Sequence, residues 1–461
     1  MQKWLKIIRS AIRGDEHDFT TGSINYAIVM LAIPMMLEMA MESIFALVDT
    51  LYVGRVGVEA LTTVGLTEVM MTLVYSVAIG LSIAPMSMVA RFIGEKDEVN
   101  AARAARQSIW ISLALSFLIG IPGFIYAENL LRLMGASDAV VAEGLNYTRI
   151  MFASNIVIML IFLLNGILRG AGEAAKAMRV LWLSNGINLI LDPILIFGFG
   201  PFPEMGVTGA AVATCIGRGI GVVYQLYILF GGFSIIKLGL GKWGLDKEML
   251  GRLAKIASNG AFQYLIASAS WVFLMRIISD FGDAAVAGYT VAIRLIIFTL
   301  LPAWGLANAT ATFVGQNLGA KQPERAETGV WRAARVTVIY MFLVGMTYAI
   351  GAPWLVRAFT SDPEAIAPGV LALRIFGCGY VLFGYGMILI QSFNGSGDTR
   401  TPTLINFVSF WMIEIPLGYF LGSYLGYGVA GVCSSVIIAE AVLSIISYFM
   451  FKRGKWKKTI V

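Results

Sequence analysis

Long apolar runs separated by short polar stretches make up most of the chain. A helix needs about 20 predominantly apolar residues to cross the hydrocarbon core of a membrane, and twelve runs are long enough for this. The predicted spans are 25–52, 61–88, 107–127, 145–167, 180–199, 207–231, 257–280, 285–313, 336–355, 369–392, 403–424 and 429–451. The pattern therefore predicts an all-α polytopic membrane protein with twelve transmembrane helices.

The composition supports a membrane location and excludes several other classes. Hydrophobic residues make up 58% of the 461 residues and charged residues only 13%, against about 25% in ordinary soluble domains. Disordered, collagen-like, disulfide-rich secreted and nucleic-acid-binding proteins do not have this composition. The single histidine, His17, argues against zinc, haem or histidine-based catalysis. The three cysteines lie in apolar runs without partners at metal-ligand spacing, as small buried residues do.

The basic residues indicate which way the spans face. Of the 34 Lys and Arg residues, 26 fall in the two termini and in the loops that follow the second, fourth, sixth, eighth and tenth predicted spans. Lys and Arg concentrate in cytoplasmic loops, so we expect both termini on the cytoplasmic side of a cell inner membrane. The net charge of +6 is then a sign of topology rather than of a ligand site.

The two halves of the chain repeat each other. A shift of 225 residues places 91–96 on 316–321 and 170–173 on 395–398, in each case between equivalent predicted spans. Six spans per half give the halves the same membrane orientation. The sequence therefore predicts two six-helix lobes related by a pseudo-two-fold axis along the membrane normal.

The polar stretch after the sixth span is the natural connection between these lobes. We expect an N-lobe over 1–232, a cytoplasmic linker over 233–256 and a C-lobe over 257–461. Two lobes around a central cleft are typical of a transporter, and the alternative is a duplication without movement, as in some channels.

The first predicted span contains three carboxylates. Glu38, Glu42 and Asp49 fall within about 40° of one another on a helix. A charge at mid-bilayer costs about 2.5–3.5 kcal/mol on insertion scales, so this stripe faces the protein interior or a wet cleft. The alternative is that these acids are ion-paired with Arg218 or another buried base. Pro34 is a candidate hinge, although a proline kink can also serve packing alone.

The fifth span places further oxygen atoms on one face. Asn188 and Asp192 are one helical turn apart, and Pro193 leaves the carbonyl of Leu189 without its helical donor. Such a cluster suits a proton or a hard monovalent cation.

The second half is poorer in buried acids. The seventh span has Gln263 but no mid-span carboxylate, while Glu414 and Glu440 lie in the last two spans. We therefore expect the ion site in the N-terminal half and a structural pairing of Glu414 with a buried arginine. Phe45, Tyr147, Gln263 and Trp271 are candidates to line a substrate cavity, with core packing or an interfacial belt as the alternative for each aromatic.

Sequence motifs for ATP binding and for common hydrolases are missing from the chain. The dipeptide Gly241-Lys242 is followed by Trp243, so it is not a Walker A motif. HExxH is impossible with one histidine, and the GxSxG elbow is absent. The sequence therefore favours a secondary transporter over an enzyme, and we expect no cofactor.

Several segments together resemble the multidrug and toxic compound extrusion (MATE) transporters over nearly the whole chain. They are Ile33–Met36 and Val48–Gly54 in the first span, Asn165–Glu173 after the fourth, and Asn188–Pro193 in the fifth. The resemblance implies export of amphipathic, often cationic, organic compounds in exchange for H+ or Na+.

In the prokaryotic branch with an acidic N-lobe, the resemblance implies an ion site at Asp49, Asn188, Asp192 and Thr214, which would also be the ligands if the ion is Na+. Tyr147 matches a tyrosine near that site. Phe45 replaces an aromatic hydroxyl of the family. Glu38 and Glu42 are additions and are candidates for further proton or substrate-charge sites.

Two other functions remain open at this point. A flippase for lipid-linked oligosaccharide precursors shares the superfamily's shape, but it needs a basic central cavity, and the mid-span bases are only Arg218 and Arg294. An intramembrane enzyme or channel is the other alternative. As partners we expect small-molecule substrates, the coupling ion and membrane lipid, with no nucleic acid and a monomeric state.

Overall fold

The computed structural model describes residues 2–15, 17–239, 243–360 and 362–459, and within these ranges the protein is helical with no strand. The helices are α1 Gln2–Arg13, α2 Ile24–Val53, α3 Val58–Gly94, α4 Glu98–Ile125, α5 Ala127–Leu133, α6 Asp138–Ala153, α7 Asn155–Gly170, α8 Ala174–Phe197, α9 Val207–Phe230, α10 Lys247–Ser279, α11 Asp283–Gly319, α12 Pro323–Phe359, α13 Pro363–Ser396, α14 Arg400–Asn406, α15 Ile415–Tyr419 and α16 Gly428–Lys452. Two π-helical segments, Phe407–Glu414 and Phe420–Tyr424, form the eleventh span together with α14 and α15, and α16 is the twelfth.

The twelve predicted spans are confirmed. Among the described residues, eleven stretches are long and apolar enough to cross a membrane alone, and the bent pair α6–α7 makes the twelfth. The sequence predicted one continuous helix over 145–167, whereas the structure bends by 42° between α6 and α7. At this break the hydroxyl of Ser154 donates to the carbonyl of Met151 at 3.0 Å, and such local bonds compete with regular helix geometry.

The sequence repeat reappears in the backbone. The ends of α3 and α11 close with the same turn: Lys96 and Lys321 have φ values of 61° and 58°, and each is 225 residues from the other. The next residue donates a backbone hydrogen bond five positions back, from Asp97 to Phe92 and from Gln322 to Asn317, both at 2.8 Å. This is the Schellman ending of a helix, and its recurrence at the same offset supports the duplication.

The helices pack into two compact units, which differ from the predicted lobes at their edges. The N-terminal unit contains Ile12–Asp15 and Leu37–Ala261, and the C-terminal unit contains Met1–Ala11, Glu16–Met36 and Phe262–Val461. The first half of α2 is therefore part of the C-terminal unit, and the predicted linker 233–256 belongs to the N-terminal unit.

Specific contacts explain both differences. In the C-terminal unit, Gly305 of α11 leaves room for the carbonyl of Met35, which lies 2.6 Å from where a Cβ would stand. In the N-terminal unit, Gln107 of α4 donates to the carbonyl of Gly244 at 2.8 Å and accepts from the backbone N–H of Asp246 at 3.1 Å. These contacts are between residues distant in sequence, so the hydropathy pattern does not reveal them.

Glu38 is the centre of a buried polar network in the N-terminal unit. Its side chain is fully buried and forms a salt bridge with Arg169 of α7. Asn165, one turn earlier on α7, donates to Glu38 at 3.1 Å and accepts from Gln225 of α9 at 2.7 Å. Three helices are thus joined around a carboxylate whose charge is compensated.

Glycines bring α3 and α7 into close contact. A Cβ on Gly166 would stand 2.5 Å from the carbonyl oxygen of Ser82, and one on Gly170 would stand 2.5 Å from that of Met86. Small residues one turn apart are the usual way for membrane helices to approach closely.

We expect Arg169→Met to destabilise the protein by about 3–5 kcal/mol, because it leaves Glu38 charged and unpaired in the interior. The measurement is the melting temperature of the purified protein in detergent. Arg132→Met is the matched control, since Arg132 forms its salt bridges on the surface with 49% of its side chain exposed. Equal melting temperatures for the two variants would contradict a structural role for the Glu38–Arg169 pair.

We expect Gly166→Ala to cost about 1–3 kcal/mol, because the added methyl group collides with backbone rather than with a flexible side chain. Gly186→Ala in α8 is the control, since nothing lies within 4 Å of its added Cβ, and alanine there favours the helix. Thermal melting in detergent compares the two, and a Gly166→Ala protein as stable as Gly186→Ala would refute the close approach of α3 and α7.

Candidate functional site

Asn188 connects α8 to α9 inside the N-terminal unit. In the amide orientation that satisfies all its neighbours, its nitrogen donates to Asp192 Oδ2 at 2.7 Å. Its oxygen then accepts from the Thr214 hydroxyl at 3.1 Å and from the Thr214 backbone N–H at 2.9 Å. Three of the four residues predicted for the ion site are thus in one hydrogen-bonded cluster.

Glycines of α9 allow this cluster to form. A Cβ on Gly217 would stand 2.8 Å from the carbonyl of Ser184 and 3.1 Å from the Cβ of Asn188. A Cβ on Gly209 would stand 2.6 Å from the carbonyl of Leu195. Because α9 has no side chain at these positions, its backbone approaches α8 closely enough for Thr214 to reach Asn188.

Asp49 of α2 is the fourth predicted residue, and its charge interacts with that of Asp192. Asp192 is fully buried. One carboxylate oxygen of each aspartate is buried without a hydrogen-bond partner. Across the described ranges, neither aspartate is within salt-bridge distance of a basic group. Two acids on different helices therefore interact through their charges, and each keeps one unused acceptor oxygen.

Arg218 of α9 is the nearest positive charge, and other groups hold it. It donates to the Tyr75 hydroxyl at 3.0 Å and lies over the Tyr75 ring at 5.5 Å. Its salt bridge is with Glu42, at 3.6 Å. Arg218 interacts with Glu42 and Asp49, and Asp192 interacts with Asp49. The region therefore has an excess of negative charge when all three acids are ionised, and a small cation would relieve it.

Glu38 and Glu42, the predicted additional proton or substrate-charge sites, both have partners in the structure. Glu38 is fully buried and paired with Arg169. Glu42 accepts from Asn185 at 2.9 Å and pairs with Arg218, although its side chain is 30% exposed. Both glutamates are therefore ion-paired, and their role in binding a proton or a substrate charge stays a prediction.

The predicted cavity residues do not come together within one unit. Phe45 and Tyr147 are buried in the N-terminal unit, and Tyr147 is close enough to Asp49 for electrostatic interaction. Gln263 is buried and Trp271 is partly buried, and both belong to the C-terminal unit. Pro34 lies within α2, two residues before that helix passes from the C-terminal unit to the N-terminal unit.

Sequence reasoning missed Arg169, Asn185 and Tyr75 as partners of the buried charges. The fourth predicted span, 145–167, ends before Arg169, whereas this residue lies in the last turn of α7 with 11% of its side chain exposed. The available signal was the four-residue spacing of Asn165 and Arg169, which places both on one face of a helix.

The side chains of the cluster present oxygen atoms rather than the nitrogen or sulfur ligands typical of transition-metal sites. Among the residues that the structure describes, no group of three or more His, Cys, Asp or Glu side chains could hold a metal ion. The unpartnered oxygens of Asp49 and Asp192, with the amide of Asn188 and the hydroxyl of Thr214 beside them, are hard ligands that suit a monovalent cation.

Relatives of this chain are named for multidrug resistance, multidrug export or FAD transport. It is 27% identical over 448 residues to the probable multidrug resistance protein NorM of Thermotoga maritima, which covers 94% of this chain and 93% of the relative. It is 25% identical to the FAD transporter of Shewanella oneidensis (95% and 97% covered) and 22% identical to the multidrug export protein MepA of Staphylococcus aureus (93% and 93%).

Solved structures match the fold closely. A crystal structure of MATE in complex with MaL6 superposes with a TM-score of 0.90 at 28% identity, over 96% of this chain and 99% of that one. Structures described as MATE in the straight and in the bent conformation give 0.89 and 0.88 at 28% and 27% identity, with 96% and 98% of this chain and 98% of each of theirs covered. The MatE family model matches residues 34–194 and 261–420, which is more than half of the protein. The chain therefore belongs to the MatE family, the multidrug and toxic compound extrusion transporters.

Proposed function

We propose that the protein is a multidrug efflux antiporter that exports amphipathic or cationic organic compounds in exchange for H+ or Na+. The observation that carries the proposal is the pair Asp49 and Asp192, which lie on different helices, interact through their charges and each keep an unpartnered oxygen. The relatives named for multidrug resistance or export support this substrate class.

Repulsion between Asp49 and Asp192 favours binding of a cation. Two ionised carboxylates in a region of low dielectric repel each other, and a proton or Na+ removes that repulsion. Asn188 fixes Asp192 on one side, and Thr214 fixes Asn188, so the oxygens of α8 are held in place before the ion arrives. Asp49 is on α2, and its position relative to α8 is what ion binding changes.

We further propose that α2 carries this change to the substrate. Pro34 has no N–H to donate to the carbonyl of Met30, so the helix is easier to bend there. Two similar crystal structures are described as MATE in a straight and in a bent conformation, which supports bending as part of the cycle. Drug and ion then compete for different states of the same helix, and this competition is the coupling free energy of an antiporter.

In this cycle the substrate contacts Phe45 and Tyr147, which are near the ion site in the N-terminal unit. The roles of Gln263 and Trp271 stay predictions from the sequence. The distribution of Lys and Arg supports an inner-membrane protein with both termini in the cytoplasm, and we expect it to act as a monomer.

The flippase alternative is less well supported. Recognition of a pyrophosphate needs free basic side chains, while Arg218 is already engaged by Tyr75 and Glu42. One relative is named as a FAD transporter, so FAD is a useful comparison substrate for the assay below.

We expect Asp49→Asn and Asp192→Asn each to reduce gradient-driven efflux of ethidium from proteoliposomes by at least ten-fold, because the neutral amide can neither bind a proton nor attract Na+. Asp138→Asn is the matched control, since that aspartate is in the same unit with 90% of its side chain exposed. Ethidium fluorescence is followed with an imposed pH gradient alone and then a Na+ gradient alone.

The outcome separates the alternatives. Efflux by either aspartate variant at the rate of the control would remove these residues from the ion site. Movement of ions without dye would indicate a channel, and export of FAD in place of ethidium would indicate a different substrate class. Thr214→Val then tests whether the coupling ion is Na+ or H+, because loss of a hydroxyl oxygen weakens a Na+ site more than a proton site.

A further inference from the structure

A second pair of acids is buried in the C-terminal unit, on residues that the proposed function does not use. Glu414 ends the π-helical segment Phe407–Glu414, and Glu440 lies in α16. They are 2% and 9% exposed, and their charges interact. The sequence suggested that a buried arginine would pair with Glu414. In the part of the chain that the structure describes, neither acid has such a partner.

Tyr289 in α11 interacts with one acid of this pair, Glu414. Tyr289 is 1% exposed, its hydroxyl has no hydrogen-bond partner among the described residues, and it interacts electrostatically with Glu414. It also interacts with Cys433, which is two helical turns before Glu440 on the same face of α16. An unsatisfied buried hydroxyl is costly, so its position beside Glu414 indicates that it donates to a carboxylate in some state of the protein.

Other titratable groups on the neighbouring helices are engaged elsewhere. On α13, Tyr380 donates to the carbonyl of Ile296 at 3.0 Å, and Tyr385 faces Tyr448. Arg276 of α10 pairs with Asp280, and both Arg294 of α11 and Arg400 of α14 are exposed. On α13 itself, the position facing Glu440 is Gly386, where a Cβ would stand 3.8 Å from the carboxylate Oε2.

Two carboxylates so placed cannot both keep their charge at low cost. Burial of an ion without a partner is expensive, and like charges at close range make one proton shared between two carboxyl groups the favourable arrangement. The helix around Glu414 is also unusual. The N–H of Ile415 bonds five residues back to Phe410, and Pro416 follows, so the turn that carries the acid is wider than an α-helical one. Such π-helical turns are frequent at functional sites.

We propose that Glu414 and Glu440 form a proton-binding site in the C-terminal unit, in which one proton is held between the two carboxyl groups and Tyr289 donates to the charged oxygen. This site is separate from Asp49 and Asp192 and does not depend on the proposed function of that pair. It gives the transporter a second group that can take up and release a proton.

The test uses the full-length protein in lipid nanodiscs with Asp49→Asn and Asp192→Asn already in place, so that its result is independent of efflux. Infrared difference spectroscopy follows the C=O stretch of protonated carboxyl groups during a pH titration. We expect a band that corresponds to one carboxyl group per molecule near neutral pH and that disappears in alkali. The double variant Glu414→Gln/Glu440→Gln should lose it, while Glu364→Gln, an exposed acid at the start of α13, should keep it.

Tyr289→Phe gives an independent readout, because it leaves both acids in place. Loss of the hydroxyl should shift the frequency of the band without reducing its intensity. This variant therefore tests the proposed site even if the double variant does not fold. The proposal is wrong if the starting protein has no such band, if the folded double variant retains it, or if Na+ at constant pH removes it.

Discussion

The fold depends on how each charge inside the membrane is compensated. A carboxylate in a hydrocarbon environment has no water to stabilise it. It is stabilised instead by a fixed cation, which is a basic side chain of the protein, by a shared proton or by an ion bound from solution. The protein shows a fixed cation at Glu38, which Arg169 neutralises. By contrast, Asp49 and Asp192 have no salt bridge in the described ranges and retain unpartnered oxygens. The same type of side chain is therefore structural in one place and available for function in the other, and the difference is the partner.

Close packing of the helices is the second constraint on the structure, because polar groups on neighbouring helices meet only when the backbones are close. Glycine allows this packing. Gly217 lets α9 reach α8, and the hydrogen bonds from Thr214 through Asn188 to Asp192 follow from that contact. Gly166 does the same between α3 and α7, next to Asn165 in the Glu38 network. Glycines such as Gly217 and Gly166 thus lie next to the buried polar groups. The close packing that they allow determines which charged side chains have a partner and which do not.

Much of the architecture was predictable because a membrane imposes it. Span length and hydropathy fix the twelve helices, and the shared 225-residue offset of Lys96 and Lys321 shows that the repeat extends to backbone turns. The unit boundaries were not predictable, since they depend on contacts such as Met35 against Gly305, which have no periodic signal. At the candidate site, helical spacing identified Asn188 and Asp192, and the family resemblance was needed for Thr214. Neither indicated that Arg169 would neutralise Glu38, because pairing between helices depends on rotation and depth within the bundle.

The position of Arg218 explains why a positive charge so near the two aspartates does not neutralise them. Its guanidinium is held by the Tyr75 hydroxyl and ring and by Glu42, and among the described residues it forms no salt bridge with Asp49 or Asp192. A fully paired cluster would bind no ion, and a cluster without any base would hold its cation too tightly to release it. One arginine shared with Glu42 lies between these limits. It lowers the repulsion at long range and leaves one carboxylate oxygen of each aspartate without a partner, where the proposed exchangeable ion would bind.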